Sequence, residues 1–165
     1  MSMARLWRRA TKRDPRAVDL YSRHYSSEKN GKGRRDWLAH GFVAPGESMT
    51  LLTSDCRALL VWLRQRYVGN GQAGVNCAVF RNEGAYGGDV LSSDLIRAAE
   101  RLAWGRWPGE RLYTYVDEVA TAGRRGKEKP AGYCFVMAGW RQCGRTEKQE
   151  LVILEKVPVG TRGVA

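Results

Sequence analysis

A chain of 165 residues has room for one domain with a substantial core and little room for two. Its 43% hydrophobic and 27% charged residues are ordinary globular composition, no apolar run approaches the ~18 residues of a membrane span, and no signal-peptide core follows the basic start, so a soluble, cytoplasmic, single-domain protein over 1–165 is expected. The 28 Lys+Arg against 17 Asp+Glu leave a formal charge of +11, the electrostatic footprint of a polyanion binder, and the arginines cluster at 5, 8, 9, 13, 16 and 23, at 34 and 35, and at 124 and 125.

Taken in chain order, the basic segment 1–13 reads as a flexible arm. Asp14 as N-cap and Pro15 at the first helical position then predict a helix over about 15–24. Residues 26–36, polar, basic and glycine-containing, read as a mobile loop. Two apolar runs, SMTLLT and RALLVWLRQRYV, flank Ser54, Asp55 and Cys56 and predict an antiparallel hairpin, the second run being a strand or, alternatively, a helix. GVNCAVFRNE predicts another strand, on which Val75, Cys77 and Val79 alternate.

EGAYGGD leads into the best-defined helix, SSDLIRAAERLAWGRW, with Ser92 as the expected N-cap, an apolar face of Leu95, Ile96, Ala99, Leu102 and Ala103, and a stop at Pro108 and Gly109. RLYTYVD is a predicted strand with Tyr113, Tyr115 and Asp117 on one face and Leu112, Thr114 and Val116 on the other. A basic loop at 121–130, a short helix around 131–138, Gly139 and a last strand ELVILEK complete the order. Alternation of strand and helix in the second half argues for an α/β fold, a central mixed sheet flanked by helices. Trp62, Trp104 and Trp140 are expected in the core. His40 is expected to be structural or in a loop, and Cys56, Cys77, Cys134 and Cys143, lacking metal-ligand spacing, are expected to be reduced thiols.

The segment KPAGYCFVMAGWRQCGRT, with Gly139-Trp140 closing a short helix, followed by LVILEK, resembles the closing element of the GNAT acyltransferase fold, and the likeness extends over about the C-terminal half. An ordinary member has an R/Q-x-x-G-x-G/A turn whose amides hold the coenzyme A pyrophosphate. Here EGAYGGDVLSS stands in its place, so Gly84, Gly87, Gly88 and Ser92 are candidates for a cofactor-binding anion nest while acetyl-CoA is not the expected donor.

A narrower resemblance is to the Mom family of phage DNA-modification proteins, GNAT-like enzymes that convert adenine to N6-carbamoylmethyladenine and shield DNA from restriction. It is carried by His24-Tyr25, Arg81 in VFRNEG, Ser93 (or Ser92) at the helix start, Asp117 closing LYTYVD, and more loosely Tyr133. The resemblance implies that His24, Tyr25, Arg81, Ser93 and Asp117 are catalytic. Chemically, Asp117 would accept or orient the amine proton, His24 would act as base or as ligand to a metal ion, Arg81 would hold a carboxylate or phosphate of the donor, and Ser93 would hold an oxyanion. Tyr25, Tyr113, Tyr115 and Tyr133 would stack on a flipped base, and Arg34, Arg35, Arg124 and Arg125 would grip the backbone. The expected partners are DNA and a small group donor of open identity, with no membrane. Two other functions stay open, a conventional acetyl-CoA N-acetyltransferase and a non-catalytic nucleic-acid-binding protein.

Overall fold

The computed structural model of the chain describes residues 5–65, 71–125 and 128–160, and among these seven strands form a single mixed sheet in the order β1-β2-β3-β4-β5-β7-β6. It opens with β1 (Arg8–Ala10), which pairs antiparallel with β2 (Gly46–Leu52). Residues 1–4 of the expected flexible arm lie outside the described residues, and the rest of it is tied down: Leu6 and Trp7 are buried, and Trp7 Nε1 donates to the Leu95 carbonyl at 2.8 Å. Burying an indole with its N–H satisfied outweighs the charge of the flanking arginines.

Helix α1 (Pro15–Ser22) starts as expected, with the Asp14 carboxylate accepting from the Arg16 amide at 2.9 Å. The predicted mobile loop at 26–36 is structured, holding a 3-10 turn at Tyr25–Lys29 and the start of α2 (Arg34–His40). Trp37 anchors it, meeting Tyr21 edge-on at 4.9 Å and donating to Asn30 Oδ1 at 3.2 Å. His40 ends α2 and is exposed.

The second run of the hairpin is a strand, β3 (Ala58–Gln65), paired with β2 and with β4 (Val75–Asn82). Alternate residues of β3 serve two cores. Leu59 and Val61 join α1 and α2 on one face, and Leu60 and Trp62 join α3 (Ser92–Arg106) on the other. The expected alternation of Val75, Cys77 and Val79 does not hold. Val61 opposes Val79 while the next residue, Trp62, opposes Cys77, so Ala78 is an extra residue. This β-bulge moves Val79 to the α1 face and returns Phe80 to the α3 face.

β5 (Leu112–Val116) runs parallel to β4, but the ladder consists of Val75↔Leu112 and Asn76↔Tyr113 only. A bulged strand bends, and β4 bulges two residues beyond this last pair. Thr114 Oγ1 reaches across to the Cys77 carbonyl at 2.8 Å where backbone pairing has stopped. At the other end of the pair, Gly74 has φ +119 and lies so close to the Arg111 carbonyl that a Cβ would overlap it.

Four further expectations are corrected in the C-terminal half. The basic loop at 121–130 contains α4 (Glu118–Arg125), with the Arg124 and Arg125 side chains outside the described residues. Ser92 is the first residue of α3 and does not cap it, Leu91 holding the cap position. The buried face of α3 includes Ala98 and Glu100, whereas Leu102 is exposed. The short helix α5 (Tyr133–Met137) and Gly139-Trp140 lead first into an unpredicted edge strand, β6 (Arg141–Arg145), and then into β7 (Val152–Lys156). Trp62 and Trp140 stack in the core at 6.3 Å, Trp104 is partly buried, and all four cysteines are free. Among the described residues no helix is long and apolar enough to cross a membrane.

Candidate functional site

Where β4 and β5 part, a cavity of about 370 Å³ opens between residues 77–82 of one strand and 114–116 of the other. Its wall on the α5 side is apolar, with Phe80 edge-on to Phe135 at 5.9 Å. Polar groups converge from Arg81, Asn82, Ser92, Thr121, Lys129 and Tyr133, and Lys129 Nζ lies 4.6 Å from the Tyr133 ring centroid. A second cavity of about 190 Å³ includes Lys29, Asn76, Asp117 and Gln149, and the two meet along His24, Tyr25, Cys77, Ala78 and Tyr115. The larger cavity is thus apolar and cationic, the smaller one is lined by amides and by Lys29 with Asp117, and Tyr25 and Tyr115 border both.

Arg81 is the main charge of the larger cavity. Its Nε donates to Glu83 Oε2 at 2.6 Å, its Nη1 is buried without an acceptor, and its side chain is 15% exposed. Glu83 also takes two hydrogen bonds from Arg23, at 2.8 and 2.9 Å. One carboxylate therefore serves two guanidinium groups and leaves a net positive charge beside the cavity. The Arg23 hydrogen bond, with help from Arg81 and against the opposing effect of burial, holds the Glu83 carboxyl down at about 2 from an ordinary 4.5.

Because the folded value is the lower one, this contribution to stability is complete above about pH 4.5 and is lost as the pH falls toward 2. A Glu83→Gln variant should melt below the wild type at pH 7, and the gap in Tm between them should close as the pH is lowered from 5 to about 2. Thermal melts across that range check it.

His24 is buried, lies tilted against the Tyr25 ring with centroids 4.4 Å apart, and caps the 3-10 turn. Its Nδ1 accepts from the Ser26 amide at 3.2 Å and lies 2.7 Å from Ser26 Oγ, an arrangement that assigns the ring proton to Nε2. Among the described residues no group of three or more His, Cys, Asp or Glu side chains could hold a metal ion, so His24 has no companion ligands there.

Asp117 caps α4, its Oδ1 accepting from the Val119 and Ala120 amides at 3.0 Å, with Oδ2 3.4 Å from Lys29 Nζ. The Ala120 amide, opposed by burial and aided by Lys29, keeps its carboxyl below the usual range. Ser93 is buried and lines neither cavity, whereas its neighbour Ser92 lines the larger one and accepts from Asn82 Nδ2 at 2.9 Å. Tyr115 lines both cavities. Tyr113, its expected companion, is fully buried with its hydroxyl unpaired, and burial pushes that hydroxyl up to about 12. Alternation along β5 sends both rings to one face, but Tyr113 sits where β4 and β5 are still paired.

The glycine loop does not behave as an anion nest. Gly84, Gly87 and Gly88 line neither cavity, and the amides of residues 84–87 point at acceptors of the chain itself. Gly84 and Ala85 donate to Asn82 Oδ1 at 3.1 and 2.9 Å, Tyr86 to Asp55 Oδ2 at 2.6 Å, and Gly87 to the Gly84 carbonyl at 3.2 Å. A pyrophosphate would have to displace a carboxylate and an amide oxygen. Arg34 and Arg35 sit on α2 away from both cavities, Arg34 bound to Asp19 at 2.8 Å.

Sequence reasoning passed over Asn82, Thr121, Lys129 and the apolar pair Phe80 and Phe135. Asn82 was detectable in principle, because an Asn two residues before a glycine commonly caps the turn with its own side chain. Cys134 lies in the wall with its thiol pushed up to about 11 by burial, which leaves it protonated and a poor nucleophile at neutral pH. No protein-family model matches the chain, and a search of curated proteins finds no match.

Proposed function

We propose that this protein is a GNAT-like transferase that moves a small, carbamoylmethyl-like group onto N6 of adenine in DNA, the modification that shields phage DNA from restriction. The observation that carries this reading is the pair of adjoining cavities at the β4–β5 parting, with one Arg81 guanidinium nitrogen left without an acceptor at the larger and with Tyr25 and Tyr115 on the wall common to both. A donor with a carboxylate or similar anionic group would pair with Arg81, and the base would enter between Tyr25 and Tyr115. The N6 lone pair forms the new N–C bond, the donor carbon releases its leaving group with the bonding electrons, and the amine proton passes to Asp117. A lowered carboxylate pKa suffices for that proton, since an aminopurine nitrogen that has donated its lone pair is a far stronger acid than a carboxylic acid.

Arg5, Arg9, Lys12 and Arg13 are exposed and make no salt bridge among the described residues, and they supply the phosphate-facing surface. Arg35 is exposed on the same terms and joins them, and Arg34 carries a surface ion pair with Asp19. The occupied amides of the glycine loop weigh against the acetyl-CoA alternative.

The test is nucleoside mass spectrometry of DNA from cells expressing the protein. A new adenine adduct is expected with the wild type and not with Arg81→Met. An unchanged nucleoside profile with the folded wild type would leave this reading without support.

A further inference from the structure

Within the adenine-transfer reading, on which this inference rests, we infer that the smaller cavity seats one unpaired nucleobase and that Asn76 reads its amine-bearing edge. At about 190 Å³ the cavity falls below the ~300 Å³ at which pockets for drug-sized ligands begin, so it suits a single heterocycle rather than a whole nucleotide. Tyr25 and Tyr115 supply rings, Asn76 and Gln149 supply amides, and Lys29 with Asp117 supplies charge.

Asn76 is the singular feature. It is 8% exposed, sits at the last registered pair of the parallel ladder opposite Tyr113, and its Oδ1 is buried without a hydrogen-bond partner. Buried side-chain amides are almost always paired, because an orphaned acceptor keeps its full desolvation penalty. Nothing in the packing of β4 requires an amide at a position where its neighbours on the same face are Ala78 and Val79 of the apolar α1 core. A ligand that supplies the missing partner accounts for it.

An Asn side chain offers an acceptor and a donor side by side, the complement of a base edge that carries an exocyclic amine next to a ring nitrogen. Oδ1 is shielded from water, and seating the base requires the amide to turn about its Cβ–Cγ bond to present it. Once it accepts one N6 hydrogen, the amine is held at the junction with the larger cavity, which the two share along His24, Tyr25, Cys77, Ala78 and Tyr115. Asn76 is thus a specificity-determining and positioning residue.

The experiment is fluorescence anisotropy with the full-length protein and labelled oligothymidylates that carry adenine, purine or hypoxanthine at one central position, so that only the adenine strand presents an exocyclic amine. The wild type should bind the adenine strand about tenfold more tightly than either of the others, the lower part of the discrimination seen for a bidentate amide–base contact. Asn76→Ala should bind all three equally, at the affinity the wild type shows for the purine strand. Asn76→Ser, smaller and still polar, should behave the same way and guards against loss of fold, which melting curves monitor. Equal wild-type binding to all three strands, or a preference that survives both substitutions, overturns the role of Asn76 while leaving the transfer reading intact. Failure of the wild type to bind any strand overturns both.

Discussion

Replacing Arg81 with methionine should lower adenine modification by about 100-fold or more while the protein stays folded, because it removes a charged donor that the protein itself leaves unsatisfied. The expected stability change is small. Glu83 keeps its two hydrogen bonds from Arg23, and the methionine buries an apolar chain where a guanidinium nitrogen lacked a partner. Arg81→Lys keeps the charge but not the planar fork, so it should fall between wild type and methionine. Modified-adenine yield per cell, set beside Tm for each variant, separates a role in donor binding from a role in folding. A methionine variant that modifies DNA as well as the wild type would remove Arg81 from the site.

The second large effect is expected behind the wall of the larger cavity, where Trp140 packs edge-on to Phe135 at 4.9 Å. Glu100 is 2% exposed within the α3 core, where it accepts from Trp140 Nε1 at 3.1 Å and from Lys156 Nζ at 2.5 Å. Lys156 also donates to the Ala138 carbonyl at 2.6 Å, so this pair links α3, the end of α5 and β7. Breaking a buried pair from one side costs about 3–5 kcal/mol, because the remaining charge and the indole N–H lose their partner. Glu100→Ala should fall at the lower end, since the Lys156 side chain is 21% exposed and can turn toward water. A double variant, Glu100→Leu with Lys156→Met, should recover most of that loss, as apolar replacements of buried pairs often do. Urea unfolding of the three proteins measures it, and a Glu100→Ala midpoint equal to the wild type would show that the pair contributes nothing net.

The contrast between Arg81 and Glu100 shows how little of a charged residue's role is visible in a string of letters. Both are ionic groups beside apolar residues. One has its partners supplied by the fold, and the other lacks an acceptor on its outer edge. Arg81 was singled out through a family likeness, and Glu100, at a helical position with no motif around it, carried no signal at all.

Local rules did well where the controlling contact is local. Asp14 and Pro15 mark the entry to α1, the period-2 pattern marks β5, and Pro108 with Gly109 ends α3, each a matter of a few adjacent residues. Composition and alternation likewise led to a mixed sheet flanked by helices. They failed where a distant residue satisfies the backbone. Trp7 is held by Leu95, the glycine loop by Asp55, and α2 by Tyr21, and none of those partners is near in sequence.

The candidate site belongs to the second kind. A reader of the chain can find His24-Tyr25, Arg81, Tyr115, Asp117 and Tyr133 and can read +11 as affinity for a polyanion. That these residues line two adjoining cavities depends on a parallel ladder of two pairs, a bulge at Ala78, and a Thr114 hydroxyl that bridges the widening gap. Pairing register and bulges are settled by the competition between two cores for the faces of one strand, and that competition exists only once the chain is packed.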